Sequence, residues 1–286
     1  MSEPAPVSAT VRRMIVGAQL RRLREEKGIT RAEAGYTIRA SESKMSRLEL
    51  GRVAFKERDV SDLLMLYGVT DPEARDAVLA LLEDANRPGW WREYEDVMPG
   101  WFQNYVGLEA AAQILRTYET HFVPGLLQTP EYARAVLAST TPPLTGRDLD
   151  RAVTLRTTRQ QVLTRADPLR VWAVVDESAL RRDVGGPEVH RAQLERLLDL
   201  MEKPNIALQV LPISTGVHAG GGAFSLLRFA DPGLPDVVYV EHLLGALYMD
   251  KIEHVERYIE VMDRLSVHSL TPEATHDLVS KMISDS

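Results

Sequence analysis

The sequence predicts a mainly helical chain, with an N-terminal domain of five helices and a larger α+β domain behind it. Three observations point there. Apolar residues recur at helical spacing through the first 87 residues. Strand-like runs such as LRVWAVV and VVYVEHL appear only in the second half. The length, 286 residues, leaves room for roughly two domains at about 150 residues each. A composition of 44% hydrophobic and 26% charged residues is that of an ordinary globular protein able to bury a core.

Val16, Leu20 and Leu23 alternate with Arg12, Arg13, Arg21, Arg22 and Arg24, so residues 11–27 form an amphipathic helix closed by Gly28. Thr30 and Glu33 make a capping box that opens a short helix to about Ile38. Ser41 caps a third helix ending near Glu49, with Gly51 as its stop. A helix over 57–67 follows, then one that begins at Pro72 behind the cap Asp71 and ends near Arg87.

The domains therefore divide as 1–87 and 88–286, with an aromatic hinge over 88–105. That hinge carries Trp90, Trp91 and Trp101, three of the four tryptophans, and is too apolar for a solvated tether, so it packs. Beyond it, Leu108, Ala111, Leu115, Tyr118 and Phe122 predict a helix ended by Pro124 and Gly125. Thr129 with Pro130 starts another, 140–146 is a loop, and a helix over 148–164 is expected to face solvent with Arg147, Arg151, Arg156, Arg159 and Arg165 around it. Strands are expected at 169–175, 206–212, 223–229, 237–243 and 246–249, with helices at 187–202, at 251–267 and from Thr271 onward.

Charge is distributed unevenly. Residues 11–58 hold 13 Lys+Arg against 6 Asp+Glu, whereas residues 59–286 hold 21 against 34, within a total of −7. A basic module on an acidic body is the layout expected when the N-terminal part docks on DNA. The absence of cysteine rules out disulfides, a CxxC zinc site and a cysteine nucleophile, and fits a cytoplasmic setting. No apolar run approaches a membrane span, and MSEPAPVSATVRR does not look like a signal peptide. The seven histidines form no metal-ligand spacing, no nucleophile motif occurs, and neither a catalytic site nor a cofactor is expected. His218, in GVHAGGGAF, is read as part of a hairpin loop because the strand–GxGxxG–helix order is missing.

The stretch GITRAEAGYTIRASESKMSRLELG has the pattern of two short helices crossing steeply. Gly35 lets the backbones approach, and Ile38, Met45 and Leu48 face inward. Ser43, Ser46, Arg47 and Leu50 form the outward side of the third helix, behind Ser41 and beside Glu42 and Lys44. A recognition helix reads base edges from its N-terminal residues. Arg47 can bond guanine O6 and N7 or hold a phosphate, and Lys44 can do likewise with less specificity. Glu42 either accepts from cytosine N4 or serves the helix dipole. Arg31, Arg52 and Lys56 border this face and would set register through phosphates. A module this small covers few base pairs, so a homodimer on double-stranded DNA is expected.

Residues 17–51 resemble the XRE, or lambda-repressor-like, helix-turn-helix family. The resemblance rests on Leu20, Leu23, Arg24, Gly28, Ile29, Thr30, Ser41, Met45, Ser46, Arg47, Leu48, Glu49 and Gly51. Arg31, Ala34 and Arg39 depart from the family pattern, Arg39 standing where a turn glycine is common. The remainder is similar to the C-terminal domain of actinomycete antitoxin-like regulators of the Scr or WhiJ type, through Gly89-Trp90-Trp91, Leu108-Glu109-Ala110, Val123 to Thr129, Val210-Leu211-Pro212 and Val238 to Glu241. That resemblance implies a transcriptional regulator of development or secondary metabolism that binds a small protein encoded by a neighbouring gene. Two other readings stay open: an antitoxin-like partner binder whose head no longer reads DNA, and a small-molecule sensor or enzyme in the body.

Overall fold

The computed structural model describes residues 9–86, 89–140, 143–231 and 234–285. The expected end of the fifth helix at Arg87, the start of the hinge at Pro88, Thr141 and Pro142 of the expected loop, and the N-terminal residues 1–8 lie outside the described residues. The chain divides into two compact units. One comprises Met1–Arg92, Val106–Ala111 and Asp231–Leu234; the other comprises Glu93–Tyr105, Ala112–Ala230 and Pro235–Ser286. The aromatic segment thus supplies residues to both.

The first unit is built on α1 (Ala9–Glu26), α2 (Arg31–Thr37), α3 (Glu42–Glu49), α4 (Glu57–Leu66) and α5 (Pro72–Ala85). The local signals act as expected. Thr30 Oγ1 accepts from the Glu33 backbone N–H while the Glu33 carboxylate accepts from Thr30 N–H, and Ser41 Oγ accepts from Lys44 N–H. Caps of this kind are worth about 1 kcal/mol each. Val16, Leu20, Met45, Leu48, Leu63 and Leu64 meet in a common core. Asn86 closes the unit by bonding both the N–H and the carbonyl of Phe55.

Two glycines permit close approach. A Cβ on Gly17 would stand 2.5 Å from the Glu49 carbonyl oxygen, so α1 lies directly on the end of α3. A Cβ on Gly35 would stand 2.7 Å from the Ala40 carbonyl oxygen, where the chain turns from α2 to α3. That turn is a Schellman closure: Arg39 N–H donates to Tyr36 and Ala40 N–H to Gly35. The closure needs a left-handed residue, and Arg39 takes φ 54°, the one positive φ outside glycine among the described residues.

The second unit holds a six-stranded mixed sheet in the order β3-β2-β1-β4-β5-β6. The strands are β1 (Ile114–Glu119), β2 (Arg170–Asp176), β3 (Ile206–Leu211), β4 (Phe224–Arg228), β5 (Val237–His242) and β6 (Gly245–Met249). β1, β2 and β3 run parallel; β4, β5 and β6 are antiparallel to their neighbours. α6 (Gly100–Ala111) precedes the sheet. α7 (Pro130–Ala138) and α8 (Gly146–Arg159) lie between β1 and β2, while α9 (Glu177–Arg181) and α10 (Pro187–Met201) lie between β2 and β3. α11 (Ile252–His268) and α12 (Pro272–Ser284) close the chain. α11 covers one face, where Val255, Met262 and Leu265 pack on Tyr118, Val174, Phe224 and Val238.

Three expectations are corrected. The helix expected over 108–122 is instead the end of α6 followed by β1. Leu115 and Tyr118 point to opposite faces of a strand covered on both sides, so their three-residue spacing imitates a helix. The loop holding His218 is no hairpin, because β3 is an edge strand and β4 pairs with β1; the chain passes β2 and β1 to reach it. Finally, α8 does not simply face solvent: Leu149, Ala152, Val153 and Leu155 are buried, and so is Arg159, at 5% exposure.

Replacing Arg39 by glycine should raise stability. A non-glycine residue in the left-handed region costs about 1 kcal/mol or more, and the Arg39 side chain has no hydrogen bond or ion pair among the described residues to lose. Glycine's looser unfolded state takes back part of that gain, so urea unfolding should show the Arg39→Gly protein more stable by up to about 1 kcal/mol; a loss of stability would contradict the strain.

Candidate nucleic-acid interface

The candidate interface is the outward side of α3, and its geometry begins with a residue facing the other way. Glu49, the last residue of α3, has a side chain at 0% exposure. Arg24 of α1 donates to it through Nε at 2.5 Å and Nη2 at 3.2 Å, and Arg31 of α2 donates through Nε at 2.9 Å. Arg24 also donates to the Ile29 carbonyl at 2.8 Å, tying down the loop that leads into α2. The bond to Glu49 outweighs burial and raises the Arg24 pKa, so this guanidinium stays charged. One carboxylate therefore holds three helices in register.

With its inner face held in this way, α3 presents Glu42, Ser43 and Arg47 to solvent; Lys44, Ser46 and Leu50 are half-buried. The Arg47 guanidinium has no hydrogen bond or ion pair among the described residues. Lys44 instead lies 3.8 Å from Asp59 of α4, a contact loose enough to be exchanged for a phosphate. Ser41 spends its hydroxyl on the helix cap. Arg52 is half-buried and its backbone N–H donates to the Arg47 carbonyl, while Lys56 is exposed at the start of α4.

Arg31 differs most from a plain surface arginine. Its side chain is 28% exposed and its Nε is committed to Glu49, so only the rest of the guanidinium is left for a ligand. Tyr36 was not among the expected contacts, yet at 86% exposure it is a large aromatic projecting from α2 just before the turn. Its signal in the sequence is an aromatic at an outward position of the second helix, within the motif itself.

Two short helices joined by a tight turn, α2 and α3, the second held from behind through Glu49, are the arrangement of the helix-turn-helix class of DNA-binding regulators. Residues 15–78 match the family model described as a helix-turn-helix domain, in agreement with an XRE-like N-terminal part. Residues 102–281 match the domain of unknown function DUF5753, which spans more than half of the chain; the protein belongs to that family. No curated protein and no solved structure matches the chain. Among the described residues no helix is long and apolar enough to cross a membrane, and no group of His, Asp and Glu could hold a metal ion.

Truncating Glu49 should be far costlier than truncating Arg31. Glu49→Ala leaves the buried Arg24 charge without its main partner, which should cost about 3 to 5 kcal/mol in urea unfolding. Arg31→Ala, at the solvent edge, should cost about 1 kcal/mol or less. Equal losses would mean that the Arg24 bond is not the main tie.

Proposed function

We propose that the protein is a sequence-specific transcriptional regulator that inserts residues 41–50 into the major groove of double-stranded DNA. The observation that carries this reading is Arg47: an exposed guanidinium with no partner among the described residues, on a helix whose inner end is clamped. A planar five-donor group held ready in this way suits guanine O6 and N7. Glu42, Ser43 and Ser46 would contribute base-edge or phosphate contacts. Lys44, Arg31, Arg52 and Lys56 would bind phosphates, with the Tyr36 hydroxyl as a further donor. Residues 1–87 would be the DNA-reading domain and 88–286 the regulatory part, acting as a homodimer and without a catalytic role.

A role in development or secondary metabolism, and an antitoxin-like relation to a small partner protein, rest on the resemblance of the C-terminal part to Scr- or WhiJ-type regulators. Partner binding has a specific observation in its favour. Leu243 and Leu244 at the β5–β6 turn and Leu247 on the edge strand β6 are exposed, an apolar cluster that association would cover.

The DNA reading is tested on duplexes selected from a random pool by the full-length protein. Arg47→Ala should weaken binding to the selected sequence about 10- to 100-fold and relax preference at one position, as expected for loss of a bidentate base contact. Lys44→Ala should weaken all sequences alike and reduce the salt slope by about one. An Arg47→Ala protein with unchanged affinity and preference would refute the docking.

Light scattering of the complex should report two chains per duplex, on a selected site that contains two half-sites spaced about 10 base pairs apart. One chain on one half-site would refute the dimer.

A further inference from the structure

The second unit contains a cleft of about 380 Å³ beside the carboxyl end of β1. Open α/β sheets place ligand sites outside the carboxyl ends of their strands. The strand register explains why there is room. Tyr118 pairs with Phe224 across β1 and β4, and Ser225 pairs with Tyr239 across β4 and β5. Continued outward, by one residue from the first pair and by two from the second, the same register sets Glu119, Ala223 and Glu241 in a row, all three lining the cleft. The small Ala223 between two longer side chains leaves the gap.

One wall is aromatic. The Tyr105 ring lies 4.3 Å from Tyr239 and 5.5 Å from Phe102, centroid to centroid. The cations of the cleft are already engaged: Arg156 donates to Gln128 Oε1 at 2.9 Å, and the buried Arg159 lies over Phe102 at 4.9 Å and over Tyr105 at 5.6 Å. Glu241 accepts from the Tyr239 hydroxyl at 2.8 Å. Glu119 is different. Its carboxyl makes no hydrogen bond or ion pair among the described residues, and burial together with the Glu241 charge pushes its pKa up to about 8, Arg156 opposing this in part. Glu119 is half-buried, and a carboxyl without a partner in such a place gains from any ligand group that supplies one.

We propose that this cleft binds a small organic cation, an ammonium on an apolar body, with Glu119 and Glu241 taking the charge and Tyr105 and Tyr239 receiving the body. Aromatic faces attract cations, and a carboxylate pair beside them gives a site for a positively charged head with an apolar tail. The site lies wholly within the second unit, so it stands or falls independently of the DNA reading.

The test is calorimetric titration of the full-length protein with three probes that share one ring: benzyltrimethylammonium, benzyl alcohol and phenylacetate, at matched ionic strength. The quaternary ammonium keeps its charge at every pH. It should bind saturably and at least about tenfold more tightly than either of the others near pH 9, and Glu119→Gln and Glu241→Gln should each remove about tenfold or more of that affinity while the circular dichroism stays unchanged. Glu119 must ionise to receive the cation, so affinity should fall by about tenfold or more from pH 9 to pH 6. Glu241 and Tyr239 from β5, Arg156 and Arg159 from α8, and His121 beyond β1 face the same cleft; a flat profile in Glu119→Gln assigns the titration to Glu119. The proposal is overturned if the cation binds no better than the alcohol, if phenylacetate binds best, if none of the three binds, or if both variants keep the affinity.

Discussion

A single carboxylate, Glu49, sets the geometry on which DNA reading would depend. Helices as short as α2 and α3, with 7 and 8 residues, are not stable alone in water and must draw their order from packing. Their apolar contacts hold them together without much angular precision. The forked bonds from Arg24 and Arg31 to Glu49 add direction, because a guanidinium and a carboxylate meet well only in a limited set of orientations. Burial makes this arrangement demanding: a charge without its partners there would cost several kcal/mol, so alternative placements of α3 are strongly disfavoured.

The consequence is a division of labour among the arginines. Arg24 is internal and works as structure. Arg31 is shared between the clamp and the surface. Arg47 has no structural duty among the described residues and is the one whose loss should be felt by a ligand and hardly at all by the fold. The charge excess of the N-terminal region therefore overstates the cations available to DNA, since part of it neutralises Glu49 from within.

The second unit uses polarity differently. Its central strand β1 is covered on both faces yet carries Thr117, whose hydroxyl pairs with Ser225 at 3.0 Å. One step further along the strand, the equivalent row holds Glu119 and Glu241 without such pairing across it. The contrast between Thr117, paired across the sheet, and Glu119, without a hydrogen bond or ion pair among the described residues two positions further on, is what singles out the cleft from the rest of the sheet. The aromatic wall beside it, with Tyr105 against Tyr239, adds to the desolvation of the half-buried Glu119 and so to the cost of charging its carboxyl.

What the sequence determined by itself was whatever depends on near neighbours. Thr30 with Glu33, Ser41, Asp71 with Pro72, Thr129 and Thr271 all open helices where their spacing said they would, because a cap needs only three or four consecutive residues. The inward set Ile38, Met45 and Leu48, and the outward position of Arg47, followed from helical periodicity alone. What only the tertiary structure decided involves residues far apart in the chain. β1 reads as helical in the sequence because a strand buried on both sides has no alternation to show. The tie between Arg24 and Glu49 spans 25 positions, and the row joining Glu119 to Glu241 spans 122, so neither leaves a periodic trace. Arg39 occupies its left-handed turn because the closure of α2 onto α3 demands that backbone, whichever side chain sits there.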